Sequence, residues 1–300
     1  MSGVSRQDVS VSGGSFSSRK LVMGPPRLAE APSVTGVCEL PTTTRQTIEV
    51  DTAADSRAGA NRSNMFQSGV PYHETGAFKT RRTFLPDDQY GVALDNLVKG
   101  CTDILLLSPD GQKVFTGKRC VQPQPDWWFM GGRMFPGETP VESGQRLLKR
   151  ELGLEVEGSR FKVVCTQTFA FGMREQAPKE HGTTDAQFCY KVQLLDDEEV
   201  GKVVLDPNEY SASEWKLPGE ILEGNYHPAL KYAVGCLLAG KALEEMEECE
   251  KKGGSDEELA RLTREFFKRR RQVDDVMGTS DQYTLDSPEL NYKCKVESKY

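Results

Sequence analysis

The spacing of apolar residues changes along the chain, and the change separates predicted helices from predicted strands. In PDDQYGVALDNLV, apolar residues at helical spacing predict one face of a short amphipathic helix: Tyr90, Ala93, Leu94, Leu97 and Val98. The apolar runs TDILLLS and KVFTGKR then flank SPDGQ. Pro-Asp-Gly between two such runs is typical of the turn of a β-hairpin.

Further strands and one helix are predicted after this hairpin. The helix follows two adjacent glycines and runs from about Thr139 to Leu152, with Gly153 as its C-terminal cap. FKVVCTQTFAFGM and DAQFCYKVQLL are strand-like runs joined by a polar loop, and GKVVL (201–205) and ASEWKL predict shorter strands.

The C-terminal part of the chain is predicted to be helical. PALKYAVGCLLAGKALEEMEECEK forms a helix opened by Pro228, and SDEELARLTREFFKRRRQV begins with a capping box from Ser255 to Glu258. Strands and helices thus alternate in groups. This order predicts an α+β fold, with a mixed sheet sandwiched by helices.

The N-terminal region differs in composition from the rest. Residues 1–85 are rich in Ser, Thr, Gly, Pro and Ala and lack periodicity, so we expect them to be mostly disordered, with short pieces such as NMFQSGVPYHETGAF docked on the folded body. The first 28 residues suit either a transit peptide or a plain tail. The predicted domains are this region (1–85), a central domain (86–245) and a helical and irregular C-terminal extension (246–300).

Charge and cysteine usage narrow the class of protein. A net charge of −7 over 300 residues does not favour wholesale nucleic-acid binding. The basic run KRRR at 268–271 is interpreted as a solvated helix face, with RNA binding as the weaker alternative. No apolar run is long enough to cross a bilayer. None of the eight cysteines forms a Cys-x-x-Cys pair, which predicts reduced thiols in an intracellular compartment: the cytoplasm, or a plastid or mitochondrion if the N-terminus is a transit peptide.

The stretch WWFMGGRMFPGETPVESGQRLLKRELGLEV carries the candidate chemistry. Gly132, Glu138, Arg146 and Gly153 stand at the spacing of the Nudix box, and the stretch resembles that box. The resemblance implies a Nudix-type α/β/α sandwich. Glycines of such a box let the backbone approach a diphosphate, and the helix after them presents carboxylates that bind divalent ions.

This box departs from the usual one at two of its three carboxylate positions. Positions 147, 150 and 151 share one helix face, and here they hold Leu147, Arg150 and Glu151. Arg150 either occupies the place of a metal ion or points to solvent. RLLKRELGL resembles the GDP-mannose mannosyl hydrolase branch, which keeps a single box glutamate. That resemblance implies one Mg²⁺, with Mn²⁺ as the alternative ion, bound by Glu151 and a carbonyl of the Gly131–Gly132 pair.

The same resemblance assigns roles to further residues. Arg119 and Arg133 would bind the diphosphate or stabilise leaving-group charge, and Asp103 would lie near the leaving diphosphate. Glu209, in the loop DPNEY, would act as base or metal ligand. The branch has Gln-His at this place and this chain has Glu209-Tyr210, so the catalytic histidine of the branch is missing. Glu138 and Arg146 would form a structural ion pair.

Two functions follow as hypotheses. The first is a Mg²⁺-dependent hydrolase of a nucleoside diphosphate linked to another group, a nucleotide sugar included. The alternative is a catalytically inactive Nudix domain that binds a nucleotide or serves regulation. Both imply a nucleotide-type small molecule as partner and no membrane, and they leave a homodimer open.

Overall fold

The structure, a computed structural model, describes residues 69–80 and 82–278, with side chains described as far as residue 274. Residues 1–68 and 81, which carry most of the predicted disorder and the whole candidate transit peptide, lie outside these ranges. Residues 69–80 and 82–86 contain no helix or strand. Val70 packs against the core and Phe78 lies against Gly137, so the predicted docking is confirmed for the described part of that segment.

Seven strands form one mixed sheet. They are β1 (Val98–Leu107), β2 (Val114–Arg119), β3 (Trp127–Trp128), β4 (Met130–Arg133), β5 (Lys162–Phe171), β6 (Thr183–Gln193) and β7 (Tyr210–Lys216). The central strand β1 runs parallel to β6 and antiparallel to β2 and β4. β5 pairs with β6 on one side, and β3 and β7 pair with β2 on the other. The predicted hairpin of β1 and β2 is confirmed.

Six α-helices and two short 3-10 helices, Gly158–Arg160 and Lys179–His181, complete the described fold. The α-helices are α1 (Asp87–Asn96), α2 (Pro140–Leu152), α3 (Asp197–Gly201), α4 (Pro218–Glu223), α5 (Pro228–Lys251) and α6 (Asp256–Gly278). None of these helices is long and apolar enough to cross a membrane. The predicted domain limits at 85 and 245 stay predictions.

Successive residues of β1 point into two different cores, because side chains of a strand alternate between its faces. Ile104 and Leu106 join the cluster that contains Leu148 and Leu152 of α2. The neighbouring leucines of β1 join a second cluster with α5, whose members include Leu105, Leu107, Leu230, Ala233 and Val234. Helices therefore cover both faces of the sheet, and the predicted α+β fold with an α/β/α sandwich is confirmed.

Helix α2 begins and ends where its sequence predicts. Thr139 Oγ1 accepts a hydrogen bond from the Glu142 N–H, and Glu142 Oε2 accepts one from the Thr139 N–H. At the other end Gly153 adopts a left-handed conformation, with φ of 70°, and its N–H reaches the carbonyls of Leu148 and Lys149. These caps fix the orientation of the last turn, which holds Glu151.

The predicted C-terminal helical extension is confirmed as α6, which packs on α5. Val273 is fully buried beside Gly235, and the Thr263 hydroxyl lies 3.2 Å from Met246 Sδ. The predicted capping box is present in part, because Ser255 Oγ accepts the Glu258 N–H. The basic run at 268–271 is mostly exposed, and Arg269 pairs with Glu265 of the same helix.

The strand predicted at 201–205 is wrong. Gly201 ends the short helix α3, and the following residues pair with no described strand. Their backbone satisfies the free end of α2 instead: the Val204 N–H donates to the Leu152 carbonyl at 3.1 Å, and the Asp206 N–H donates to the Glu151 carbonyl at 3.1 Å. The apolar alternation is real, since Leu205 faces the core and Val204 faces solvent, but the alternation serves a helix end.

Candidate functional site

Two adjacent glycines bring the backbone of β4 against β1. Gly131 pairs with Asp103 in antiparallel register, and its φ is 151°. A Cβ atom on Gly131 would overlap Asp103 Oδ1 and the Thr102 carbonyl oxygen, so no side chain fits at this position. The Gly131 N–H donates to Glu151 Oε2 at 3.0 Å. Gly132, the predicted metal ligand of the pair, lies beside it at the wall of a cavity.

Glu151 is a buried carboxylate with a partner on each oxygen. Its side chain is 1% exposed. Oε2 accepts hydrogen bonds from the Gly131 N–H and from the Tyr210 hydroxyl, the latter at 2.7 Å, and Oε1 meets Arg150. Burial raises the pKa of Glu151, while the Tyr210 hydroxyl and the charge of Arg150 act in the opposite direction. The single retained box glutamate is thus held firmly in one orientation.

A tight turn places Glu209 opposite Glu151. Asp206 Oδ1 accepts the Asn208 N–H at 2.9 Å, and the Asp206 carbonyl accepts the Glu209 N–H at 3.1 Å. The Glu209 carbonyl accepts the Cys120 N–H at 2.9 Å, which ties the turn to the end of β2. The Glu209 side chain is 28% exposed and reaches the same cavity as the glycines.

Arg150 lies between the two carboxylates. Its Nη2 is 2.6 Å from Glu151 Oε1 and 3.5 Å from Glu209 Oε1. Of the two orientations left open for Arg150, the structure has the one that places its guanidinium at the carboxylates. Leu147, at the other altered position, is buried and faces Gly132. Within residues 69–80 and 82–278, no three His, Cys, Asp or Glu side chains are grouped as a metal site.

Asp103 is the second buried carboxylate of the site. The Gln187 amide donates to Asp103 Oδ2 at 2.5 Å. Burial raises the pKa of Asp103 to about 7, and the Gln187 hydrogen bond and the charge of Arg119 offset this only in part. The charge of Glu151 adds to the rise. Asp103 is therefore poised between its two protonation states near neutral pH.

Two polar side chains of the cavity wall keep buried N–H groups without a hydrogen-bond partner. Arg119 Nε and Gln124 Nε2 are both in this state, and Gln124 is 5% exposed. Buried donors are nearly always paired in native proteins, since an unpaired one costs about 1–3 kcal/mol. These donors mark a place where a ligand with acceptor oxygens would be stabilised.

The cavity that these residues share has a volume of about 190 Å³. Four cationic and three carboxylate side chains line it: Lys99, Arg119, Arg133, Arg150, Asp103, Asp185 and Glu209. The rest of the wall includes three aromatic rings, those of Trp128, Phe169 and Phe171, together with the glycine pair, Cys101, Pro123 and Gln124. All six residues predicted for the site, with Glu151 behind the wall, therefore come together in one place.

Arg133 has the most open position of the predicted residues. It is exposed, and its guanidinium lies over the ring of Tyr90 at 4.9 Å. This contact joins the rim of the cavity to α1. The predicted ion pair of Glu138 and Arg146 is confirmed, with Nε 2.7 Å from Oε1, and the Arg146 guanidinium also donates to the Arg133 carbonyl. The pair braces the loop that carries the glycines.

Several residues of the cavity were not predicted from the sequence. Lys99 and Asp185 form an ion pair of 3.0 Å at its edge, because β1 and β6 pair in parallel with these two residues opposite each other. No local spacing reveals that register. Gln124, in the loop before β3, was also missed. Trp128 and Phe129 are buried and pack in the core.

His181 and His227 lie away from the cavity wall. His181 Nδ1 lies 3.2 Å from Asp95 on the surface. His227 is buried, and its Nδ1 accepts the Ala229 N–H at 3.1 Å. It therefore caps the N-terminus of α5.

Residues 100–234 match the family described as the NUDIX domain. The match covers β1 to the first turns of α5, and it includes the glycine pair, α2 and the turn that carries Glu209. No curated protein matches the chain. The GDP-mannose mannosyl hydrolase branch stays a prediction.

Three of the solved structures that are similar to this chain are named as hydrolases. A MutT NUDIX hydrolase from Burkholderia pseudomallei is 18% identical, covers 46% of this chain and 97% of its own, and has a TM-score of 0.37. The Ap4A hydrolase of C. elegans is 14% identical over 47% of this chain and 96% of its own, with a TM-score of 0.33. The dihydroneopterin triphosphate pyrophosphohydrolase of E. coli is 17% identical over 46% of this chain and 95% of its own, with a TM-score of 0.36.

Proposed function

We propose that the Nudix domain hydrolyses a nucleoside diphosphate linked to another group, a nucleotide sugar being one member of that class. The observation that carries the proposal is the convergence of Glu151 and Glu209 on one cation, beside the buried and unpaired Nε of Arg119. Unpaired cationic donors suit a substrate that carries negatively charged phosphates. A carboxylate pair beside them suits the orientation of an attacking water.

The roles of the cationic residues follow from their positions. Phosphate oxygens would accept hydrogen bonds from Arg119, whose buried donor then gains a partner. Arg133 at the rim would hold the outer phosphate, with Lys99 adding positive charge in the same cavity. Asp103 would lie near the leaving diphosphate, and its raised pKa limits the negative charge that it adds there.

Glu209 would orient or deprotonate the attacking water. Its side chain is partly exposed inside the cavity, so water can reach it, and its backbone is fixed by the turn at Asp206. A general base has to be within hydrogen-bond reach of the proton that it removes. Glu209 therefore stands in this proposal for the histidine that the mannosyl hydrolase branch carries at the next position.

The oxygen donors of the site suit a divalent ion only if that ion replaces the Arg150 guanidinium. Mg²⁺ and Mn²⁺ prefer oxygen ligands, and Glu151 Oε1 and Glu209 Oε1 are the two carboxylate oxygens that face that guanidinium. A carbonyl of Gly132 would be the third ligand. Such an ion would supply charge neutralisation for the diphosphate and polarise water.

A second candidate function is metal-independent binding of the same ligand class without turnover. Two observations favour it: Leu147 fills one former carboxylate position with a buried apolar side chain, and Arg150 neutralises the carboxylates that remain. In this case the Nudix domain would serve as a nucleotide-binding or regulatory module.

Turnover of a panel of nucleotide sugars and dinucleotides with Mg²⁺ distinguishes the two functions. Glu151→Gln should abolish turnover, whereas Glu155→Gln, a matched change at an exposed glutamate paired with Lys149, should not. Thermal unfolding of both variants checks that they fold. Binding of the panel without turnover, unchanged in Glu151→Gln, would contradict the hydrolase proposal and support the binding module.

A further inference from the structure

Arg150 and Glu151 are neighbours in sequence, and neighbouring helix residues do not normally face each other. Here the long arginine side chain turns back, so that Nη2 reaches Glu151 Oε1 at 2.6 Å. The same nitrogen lies 3.5 Å from Glu209 Oε1. One guanidinium nitrogen therefore stands between carboxylates that come from α2 and from the turn before β7.

The carboxylate pair needs a cation at this place. Glu151 is 1% exposed and its Oε2 is already taken by the Gly131 N–H and the Tyr210 hydroxyl. Oε1 therefore faces Glu209 with no neutral donor between them. Two carboxylates that approach the same guanidinium nitrogen repel each other, and burial strengthens the repulsion because the local dielectric constant is low.

Arg150 itself is not locked in the protein. Its side chain is 48% exposed, and its guanidinium contacts these two carboxylates. A half-exposed arginine can leave its position by rotating into water, at a cost far below that of moving a buried residue. The place that it fills is thus accessible to another cation.

We propose that Arg150 is the resident cation of the Glu151–Glu209 pair and that divalent ions compete with its guanidinium for the same two carboxylate oxygens. The arginine lowers the affinity of the site for metal, and a metal that binds displaces the arginine towards solvent. Arg150 therefore sets the metal concentration at which the site changes from its metal-free to its metal-bound form. The inference rests on the proposed function in one respect only, since it takes this cavity as the functional site.

Titration of the full chain with Mn²⁺, followed by electron paramagnetic resonance without any nucleotide, tests this competition. Arg150→Ala should bind one Mn²⁺ at least about tenfold more tightly than the unaltered protein, because a unit positive charge leaves the carboxylates. Lys149→Ala is the matched control. This variant removes the same charge from the same helix turn, but Lys149 pairs with Glu155 at the surface. Lys149→Ala should therefore change the affinity for Mn²⁺ less than about twofold.

A second pair of measurements keeps the outcome interpretable. Adding Glu209→Gln to Arg150→Ala should abolish the extra Mn²⁺ binding. Mn²⁺ should also raise the melting temperature of Arg150→Ala and of Arg150→Gln, because an ion that binds only the folded state stabilises it. Equal Mn²⁺ affinity of Arg150→Ala and Lys149→Ala would overturn the proposal, as would extra binding that survives Glu209→Gln. Because these measurements need no substrate, they decide between the outcomes even if the protein has no turnover.

Discussion

The hydroxyl of Tyr210 donates a hydrogen bond of 2.7 Å to Glu151 Oε2 in the protein interior. It joins the last turn of α2 to the first residue of β7. Replacing Tyr210 with Phe removes this donor from a buried carboxylate, and we expect the free energy of unfolding to fall by about 1–3 kcal/mol. Urea denaturation measures the change.

A double-mutant cycle with Glu151→Gln separates this hydrogen bond from general loss of packing. The coupling energy of Tyr210→Phe and Glu151→Gln should be about 1 kcal/mol or more, since the two side chains are in direct contact. Additive effects of the two changes would show that the hydroxyl does not stabilise Glu151.

The close approach of β4 to β1 makes Gly131 intolerant of any side chain. A Cβ atom there meets backbone and a buried carboxylate, both of which are fixed, so Gly131→Ala should cost about 2–3 kcal/mol of stability. Gly219→Ala is a suitable control because no atom lies within 4 Å of the added Cβ, and the residue is in a helix. Thermal unfolding of both variants should show a large decrease for the first and almost none for the second.

Arg119 is expected to matter for ligand binding more than for stability. Its buried Nε has no partner in the free protein, so Arg119→Met removes an unsatisfied donor and should leave the unfolding free energy unchanged or slightly higher. Affinity for inorganic pyrophosphate should decrease by about tenfold or more, because charged hydrogen bonds to phosphate are lost. Isothermal titration calorimetry measures the affinity.

Arg160→Met should give the opposite pattern. This arginine forms two hydrogen bonds of 2.8 Å with Glu199, away from the cavity. Its replacement should lower stability and leave pyrophosphate affinity intact. Loss of affinity in both variants would mean that net charge, and not the position of Arg119, controls binding.

His227 should make stability depend on pH. Burial lowers the pKa of its imidazole to about 3, from an ordinary value of 6.5. Between these values the unfolded chain takes up a proton that the folded protein does not, so stability falls as the pH decreases through this window. The contribution of this group is at most about 1.4 kcal/mol per pH unit.

His227→Asn removes the titration and keeps an oxygen that can cap α5. Urea denaturation at about pH 7 and about pH 5 should show a smaller loss of stability for the variant than for the unaltered protein. Equal losses would indicate that other groups account for the acid sensitivity.

Features set by local chemistry could be predicted from the sequence, and features set by tertiary register could not. The ion pair of Glu138 and Arg146 was implied by the resemblance to the Nudix box, and the caps of α2 follow from the residues at its two ends. The pairing of Lys99 with Asp185 depends on the register of parallel strands 86 residues apart, which no local pattern specifies. The prediction of a strand at 201–205 was wrong because the backbone of such a segment can hydrogen-bond to a helix end as readily as to a sheet.

The segment that follows α3 also governs the geometry of the carboxylate pair. The carbonyl of Glu151 accepts the Asp206 N–H, and Glu209 follows three residues later in a closed turn. The separation of the two side chains is thus set by the few peptide units between this hydrogen bond and Glu209, together with the bond from the Cys120 N–H that ties the turn to the end of β2. Lengthening the chain by one residue between Asp206 and Glu209 should uncouple the two carboxylates, whereas lengthening the β5–β6 loop should leave their spacing unaltered.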